Sequence, residues 1–195
     1  MPIVSSPTAG FPESLRLKQF STGDYLQLIE AGVLGPEDKI ELIGGIVVDR
    51  SPASIPHNHC RIQVLHAFAP LVGRFDIAIQ GTLTVSEGHV YDPDFMLLQP
   101  RPDGFKTKLP DASDVHLLIE AADSSLARDR KVKMPIYASA DIPEYWIADL
   151  EHEALIIHRD PQPGGYRQIE TRSGDETVSP LAAPEFSFAV RKAFD

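Results

Sequence analysis

The chain has a single cysteine, Cys60, so an internal disulfide is excluded and nothing points to an oxidising compartment. The cytoplasm is the expected location. No apolar run approaches the roughly 18 residues of a membrane span. The opening "MPIVSSPTAGFPESLRLKQF" lacks the basic start and apolar centre of a signal peptide. It reads as a loose arm over residues 1–19, ahead of one domain over 20–195. Positive charge is in short supply, with 18 Lys and Arg against 28 Asp and Glu, a net charge of −10. That balance argues against a broad basic surface coating nucleic acid. It leaves room for a local patch, and Arg128, Arg130, Lys131 and Lys133 cluster around Asp129. No glycine-rich loop leads into a helix, so Gly44-Gly45 is a turn and not a phosphate cradle. The stretch "HNHC" at 57–60 has no second cluster to complete a four-ligand zinc site.

What is present is an alternation of helical and strand patterns. "STGDYLQLIEAGVLG" from Ser21 predicts a capped helix with Tyr25, Leu28 and Ile29 inward and Gly32 at its end. "KIELIGGIVVDR" predicts a hairpin turning at Gly44-Gly45. Residues 58–72 predict a helix with Ile62, Leu65, Phe68 or Ala69, and Leu71 or Val72 inward. Short strands follow at 75–80, 83–85 and 94–99, then a loop over 100–113. "DVHLLIEAA" does not alternate, as expected of a strand buried on both faces. A helix from about 125 to 138 leads to strands at 144–150 and 154–159, and "GGYRQIE" continues the meander. Trp146 and Tyr145 are expected in the core or at a dimer surface. The fold class is α/β or α+β, with a mixed central sheet flanked by helices and additional antiparallel strands.

Carboxylates stand where apolar strands end. Glu120 closes "LLIE", Asp92 and Asp94 bracket Pro93 before "FMLL", and Glu41 lies inside the hairpin. In the helix after Glu120, a 100° step with Leu126 at zero puts Asp129 near −60°, Lys133 near −20° and Tyr137 near +20°. Asp129 and Lys133 therefore share the inward face, and Arg128 and Lys131 point elsewhere. An inward charged pair is costly unless it is paired or has a task. Converging carboxylates and a lysine suit a hard divalent cation, Mg²⁺ or Mn²⁺, with its water and a substrate phosphate. Asp123 with Ser124 and Ser125 reads as a helix cap. Gln80, ending its strand, is placed to approach the same pocket.

These residues carry a resemblance. "YDPDFMLL", then "LLIEAADSSLARDRKVKMPIYASADIPEYWIADL", with the opening "DKIELIGGIVVDRSPASIPH", resembles the Uma family of restriction-endonuclease-like proteins, over roughly residues 20–170. That family is assigned to the PD-(D/E)xK nuclease superfamily. The resemblance implies a restriction-endonuclease-like fold, with Asp94 and Glu120 as catalytic metal ligands and Glu41 as a further acidic residue. The superfamily pattern has lysine two residues after Glu120, where this chain has Ala122; Lys133 is the candidate migrated replacement. His57 matches the family's histidine, and with Asp129 and Gln80 it is a candidate for supporting the ligands. The expected function is Mg²⁺-dependent cleavage of phosphodiester bonds in DNA, by a homodimer with no membrane partner. The alternative is a nuclease-fold protein that binds or regulates without catalysis.

Overall fold

The computed structural model describes residues 18–50 and 52–195, so most of the expected N-terminal arm lies outside the described residues. Helix α1 (Thr22–Glu30) starts where Ser21 and Asp24 cap each other in a reciprocal box. Strands β1 (Ile40–Ile43) and β2 (Ile46–Asp49) form the expected hairpin. Gly44 and Gly45 both hold positive φ, 59° and 76°, the tight-turn geometry that favours glycine. Helix α2 (Ile55–Phe68) follows. Next come β3 (Asp76–Ala78), β4 (Leu83–Ser86), β5 (His89–Tyr91), β6 (Phe95–Leu98) and β7 (Val115–Ala122). A broken helix, α3 (Leu126–Arg128) and α4 (Met134–Ser139), joins β7 to β8 (Glu144–Asp149). Strands β9 (Ala154–Gln162), β10 (Gly165–Ser173), β11 (Thr177–Val178) and β12 (Phe188–Ala189) complete the chain.

The central sheet has the order β10-β9-β8-β7-β6-β3 and is mixed: β7 and β8 run parallel, and all other pairs are antiparallel. A parallel pair needs a crossover, and the broken helix supplies it. A second, antiparallel sheet has the order β2-β1-β5-β4, and β11 pairs with β12. Strand β7 is buried on both faces, as expected. Leu117, Ile119 and Ala121 join Phe68 of α2, Trp146 and Phe188 on one face; Leu118 and Ala122 join Tyr91, Tyr137 and Tyr145 on the other. Trp146 and Tyr145 are fully buried core residues. Among the described residues no helix is long and apolar enough to cross a membrane.

Two expectations need correction. Helix α2 begins at Ile55 because the Ser54 hydroxyl accepts the His57 N–H at 3.2 Å, with proline in the first turn. That start sets the inward stripe as Cys60, Val64 and Phe68, with Leu71 buried just beyond; Ile62 and Val72 are 49% and 66% exposed. Cys60 is a small apolar core residue. Ser125 makes no capping hydrogen bond; its hydroxyl donates to Asp129 at 2.6 Å, and Asp123 is exposed. Strands β5, β11 and β12, at two or three residues each, are too short to show alternation and were not expected.

Candidate active site

The site forms where β6 and β7 meet. The last paired positions there are Phe95 and Ile119, so one step further Asp94 stands beside Glu120. Asp94 is held on both oxygens: Oδ2 accepts the Ala121 N–H at 3.0 Å, and Oδ1 lies 2.9 Å from His57 Nε2. His57 reaches it from the first turn of α2. Glu120 Oε1 accepts from Lys133 Nζ at 2.8 Å and from the Tyr137 hydroxyl at 3.2 Å.

Lys133 arrives from an unusual turn. Residues Asp129–Lys133 form a π-helical turn, in which the Met134 N–H reaches back to the Asp129 carbonyl. Pro135 follows, with no N–H for the Lys131 carbonyl and a ring that would crowd it in an α-turn. The widened turn accommodates this, and such turns recur at functional sites. The even 100° step therefore does not hold across 129–133, yet Asp129 and Lys133 both stay inward. Arg128, expected to point elsewhere, lines the cavity instead.

Lys133 Nζ is the hub. It lies 3.2 Å from Glu41 Oε1, 3.9 Å from Asp129 Oδ1 and 5.6 Å from the Tyr91 ring centre. Glu41, Asp94, Glu120, Asp129 and Lys133 are each under 5% exposed. Four buried carboxylates thus face one buried ammonium. Arg50 Nε stands 3.7 Å from Glu41, and its other arm binds Asp92 at 3.0 Å. Neither Glu41 oxygen has a hydrogen-bond partner among the described residues.

The electrostatics follow from that imbalance. Burial, with Asp94, Asp129 and Glu41 nearby, pushes the Glu120 carboxyl up to about 8 despite the Lys133 charge. Burial also raises Asp129. Burial alone would lower Lys133, but Glu120, Glu41 and Asp129 outweigh it and hold the ammonium above its ordinary range. Asp94 goes the other way: burial opposes its ionisation, but the His57 contact, the Ala121 N–H and Lys133 keep it below the usual range. The folded chain therefore keeps a proton on Glu120 between the ordinary 4.5 and about 8, where the unfolded chain has lost it. Stability of the metal-free protein should fall as pH rises through that window, by on the order of a few kcal/mol. Thermal melts in chelator from pH 5 to 8 measure the slope, and Glu120→Gln should flatten it.

A cavity of about 110 Å³ opens over these groups, lined by Asp94, Glu120, Asp129 and Lys133 and by Arg50 and Arg128. Of the expected site residues, Glu41 sits behind Lys133 and does not line it. His57 lines both this cavity and an adjoining one of about 590 Å³. Gln80 and Asp92 line only the larger cavity. Gln80 is tied to the site through its backbone, its N–H donating to the Asp94 carbonyl at 3.4 Å. Ala122 lies on the same face of β7 as Glu120, so Lys133 enters on the face where a lysine at 122 would have stood. Sequence reasoning missed Arg50 and Arg128, whose positions depend on tertiary packing. It also missed the Tyr137 hydroxyl, although the helical wheel put Tyr137 on the right face.

No group of three or more His, Cys, Asp and Glu converges as a closed metal cage among the described residues. A hard cation such as Mg²⁺ does not need one; it binds through one or two carboxylates and keeps waters or substrate oxygens as its remaining ligands. Asp94 and Glu120, side by side at a polar cavity with surplus negative charge, fit that kind of ion.

The class this architecture defines is a restriction-endonuclease-like fold, a mixed sheet with carboxylates where two central strands meet. The family model described as "Uma2: Putative restriction endonuclease" matches residues 22–191, and the chain belongs to that family. The crystal structure of "a putative nuclease belonging to DUF820" from Anabaena variabilis superposes with a TM-score of 0.71 at 15% identity, covering 90% of this chain and 97% of that one. That likeness concerns the fold. No curated protein matches the chain.

Proposed function

We propose that the protein is a divalent-metal-dependent endonuclease that hydrolyses phosphodiester bonds in DNA, through a PD-(D/E)xK-type site with a migrated lysine. The observation that carries this reading is the buried Asp94–Glu120–Lys133 cluster, with more negative charge than Lys133 neutralises. Asp94 and Glu120 would hold Mg²⁺ or Mn²⁺, with Glu41 nearby through Lys133. A bound ion would supply an acidified water and neutralise charge on the phosphate. The chain's own groups do the rest. Lys133 presents a fixed positive charge where negative charge develops on the phosphate. Glu41 and Asp129 hold that ammonium in place. His57 orients Asp94, and Arg128 offers donors to a phosphate oxygen. A homodimer would bring two such sites to one DNA substrate.

The test is cleavage of supercoiled plasmid and of single-stranded DNA in Mg²⁺ or Mn²⁺, against the same reactions in chelator. The expected result is cutting that needs the metal and falls at least about 100-fold in Asp94→Asn, the scale of losing a group that acts in the transition state. A protein that binds DNA but never cuts it would favour the non-catalytic, binding or regulatory reading.

A further inference from the structure

The larger cavity is a chamber of about 590 Å³ that shares Arg50, Pro52 and His57 with the small one over the carboxylates. Two of its cations are unpaired: Lys39 and Arg61 line this chamber and meet no carboxylate within 4.0 Å among the described residues, whereas Arg50 there is paired with Asp92, also a lining residue. Arg61 Nε is moreover buried without a hydrogen-bond partner, as is Nε of Arg128 in the small cavity. A guanidinium short of an acceptor suits a phosphate oxygen. Only six non-glycine residues among those described hold positive φ, and two of them, Lys39 at 46° and Gln80 at 49°, line the chamber. Such conformations persist where the surroundings hold them and cluster at ligand sites. Asn58 and Gln80 supply amide groups able to meet a base edge.

We infer that this chamber is a subsite for a single-stranded or extruded segment of nucleic acid, with Arg61 and Lys39 on backbone phosphates and Asn58 and Gln80 on a base. Shape decides between strand forms. A recessed chamber of this size encloses a small ligand. Within a duplex, bases are stacked and paired, so only an unstacked nucleotide brings a phosphate and a base edge into one pocket together. Charge is in keeping: a duplex needs a broad basic face, and this chain carries a net charge of −10. The chamber opens beside Asp94 through His57, so a strand seated there leads its next phosphodiester toward the carboxylates. The inference rests on the nuclease reading for its substrate class.

The experiment is fluorescence anisotropy in chelator, with one labelled single strand and the duplex of the same sequence, across a salt series. The native protein should bind the single strand at least about tenfold tighter than the duplex. Lys39→Ala with Arg61→Ala should weaken single-strand binding by at least about tenfold and make its salt slope shallower by about 1.4, from two lost phosphate contacts. Asn58→Ala with Gln80→Ala, which leaves the charges in place, should weaken binding and leave the slope unchanged. Melting curves confirm that each variant is folded. Equal or tighter duplex binding, or a double-alanine variant that is folded and binds as before, overturns the inference. Single-strand binding without cleavage in metal would defeat the nuclease reading and leave the chamber standing; duplex cleavage without single-strand binding would do the reverse.

Discussion

Lys133→Ala is expected to destabilise the protein by about 3–5 kcal/mol at pH 8, the range for removing one partner of a buried ion pair. The cause is specific. Glu120 loses its 2.8 Å partner and Glu41 loses its 3.2 Å partner, and both carboxylates are almost fully buried. The loss should shrink as pH falls toward 5, because a protonated Glu120 no longer needs the ammonium. Cleavage should disappear at every pH. Lys133→Arg should recover part of the stability and little of the activity, since a planar guanidinium cannot replace a compact ammonium in a packed pocket. Denaturant unfolding at pH 5 and pH 8 measures the first effect, and plasmid cleavage the second. A Lys133→Ala protein as stable as the parent at pH 8 would mean that the surrounding carboxylates are not charged in concert with it.

Glu120→Gln is expected to do the opposite to stability. It removes one negative charge from a cluster with four carboxylates and one ammonium, and keeps a carbonyl oxygen for Lys133 and Tyr137. The metal-free variant should be more stable than the parent at pH 8 by on the order of 1 kcal/mol or more, with the gain vanishing near pH 5. Activity should fall at least about 100-fold. A residue whose removal helps the fold and ends the chemistry is characteristic of a site that trades stability for function. Thermal melts in chelator with parallel cleavage assays decide it. A variant less stable than the parent at pH 8 would show that Glu120 serves the fold.

Much of this arrangement was legible in the sequence because it is written in strand ends. Asp94 and Glu120 each terminate or precede an apolar run, and the antiparallel pairing of β6 with β7 brings such positions together. The inward placement of Lys133 followed from helical periodicity, even though the turn proved to be π-helical; Pro135 was the visible signal for that irregularity. Glu41 was legible as an acid inside an apolar hairpin, but its lack of contact with the cavity was not, because that depends on how the second sheet packs over Lys133. Arg50 was not legible, because it lies just past β2, where no period constrains direction. Arg128 ends α3, and the even helical step pointed it away from the cavity that it lines. The phase of α2 was missed because the helix was started at 58, and its stripe was set on Ile62 and Leu65 in place of Cys60 and Val64.

The most direct measurement is calorimetric titration of Mg²⁺ and of Mn²⁺ into the native protein and into Asp94→Asn with Glu120→Gln. The expected result is saturable binding to the native chain, weaker at pH 6 than at pH 8 because the ion must displace the proton on Glu120, and no binding to the double variant. Identical isotherms for the two proteins, or no binding to the native chain even with DNA present, would contradict a metal site at these carboxylates and the nuclease chemistry built on it.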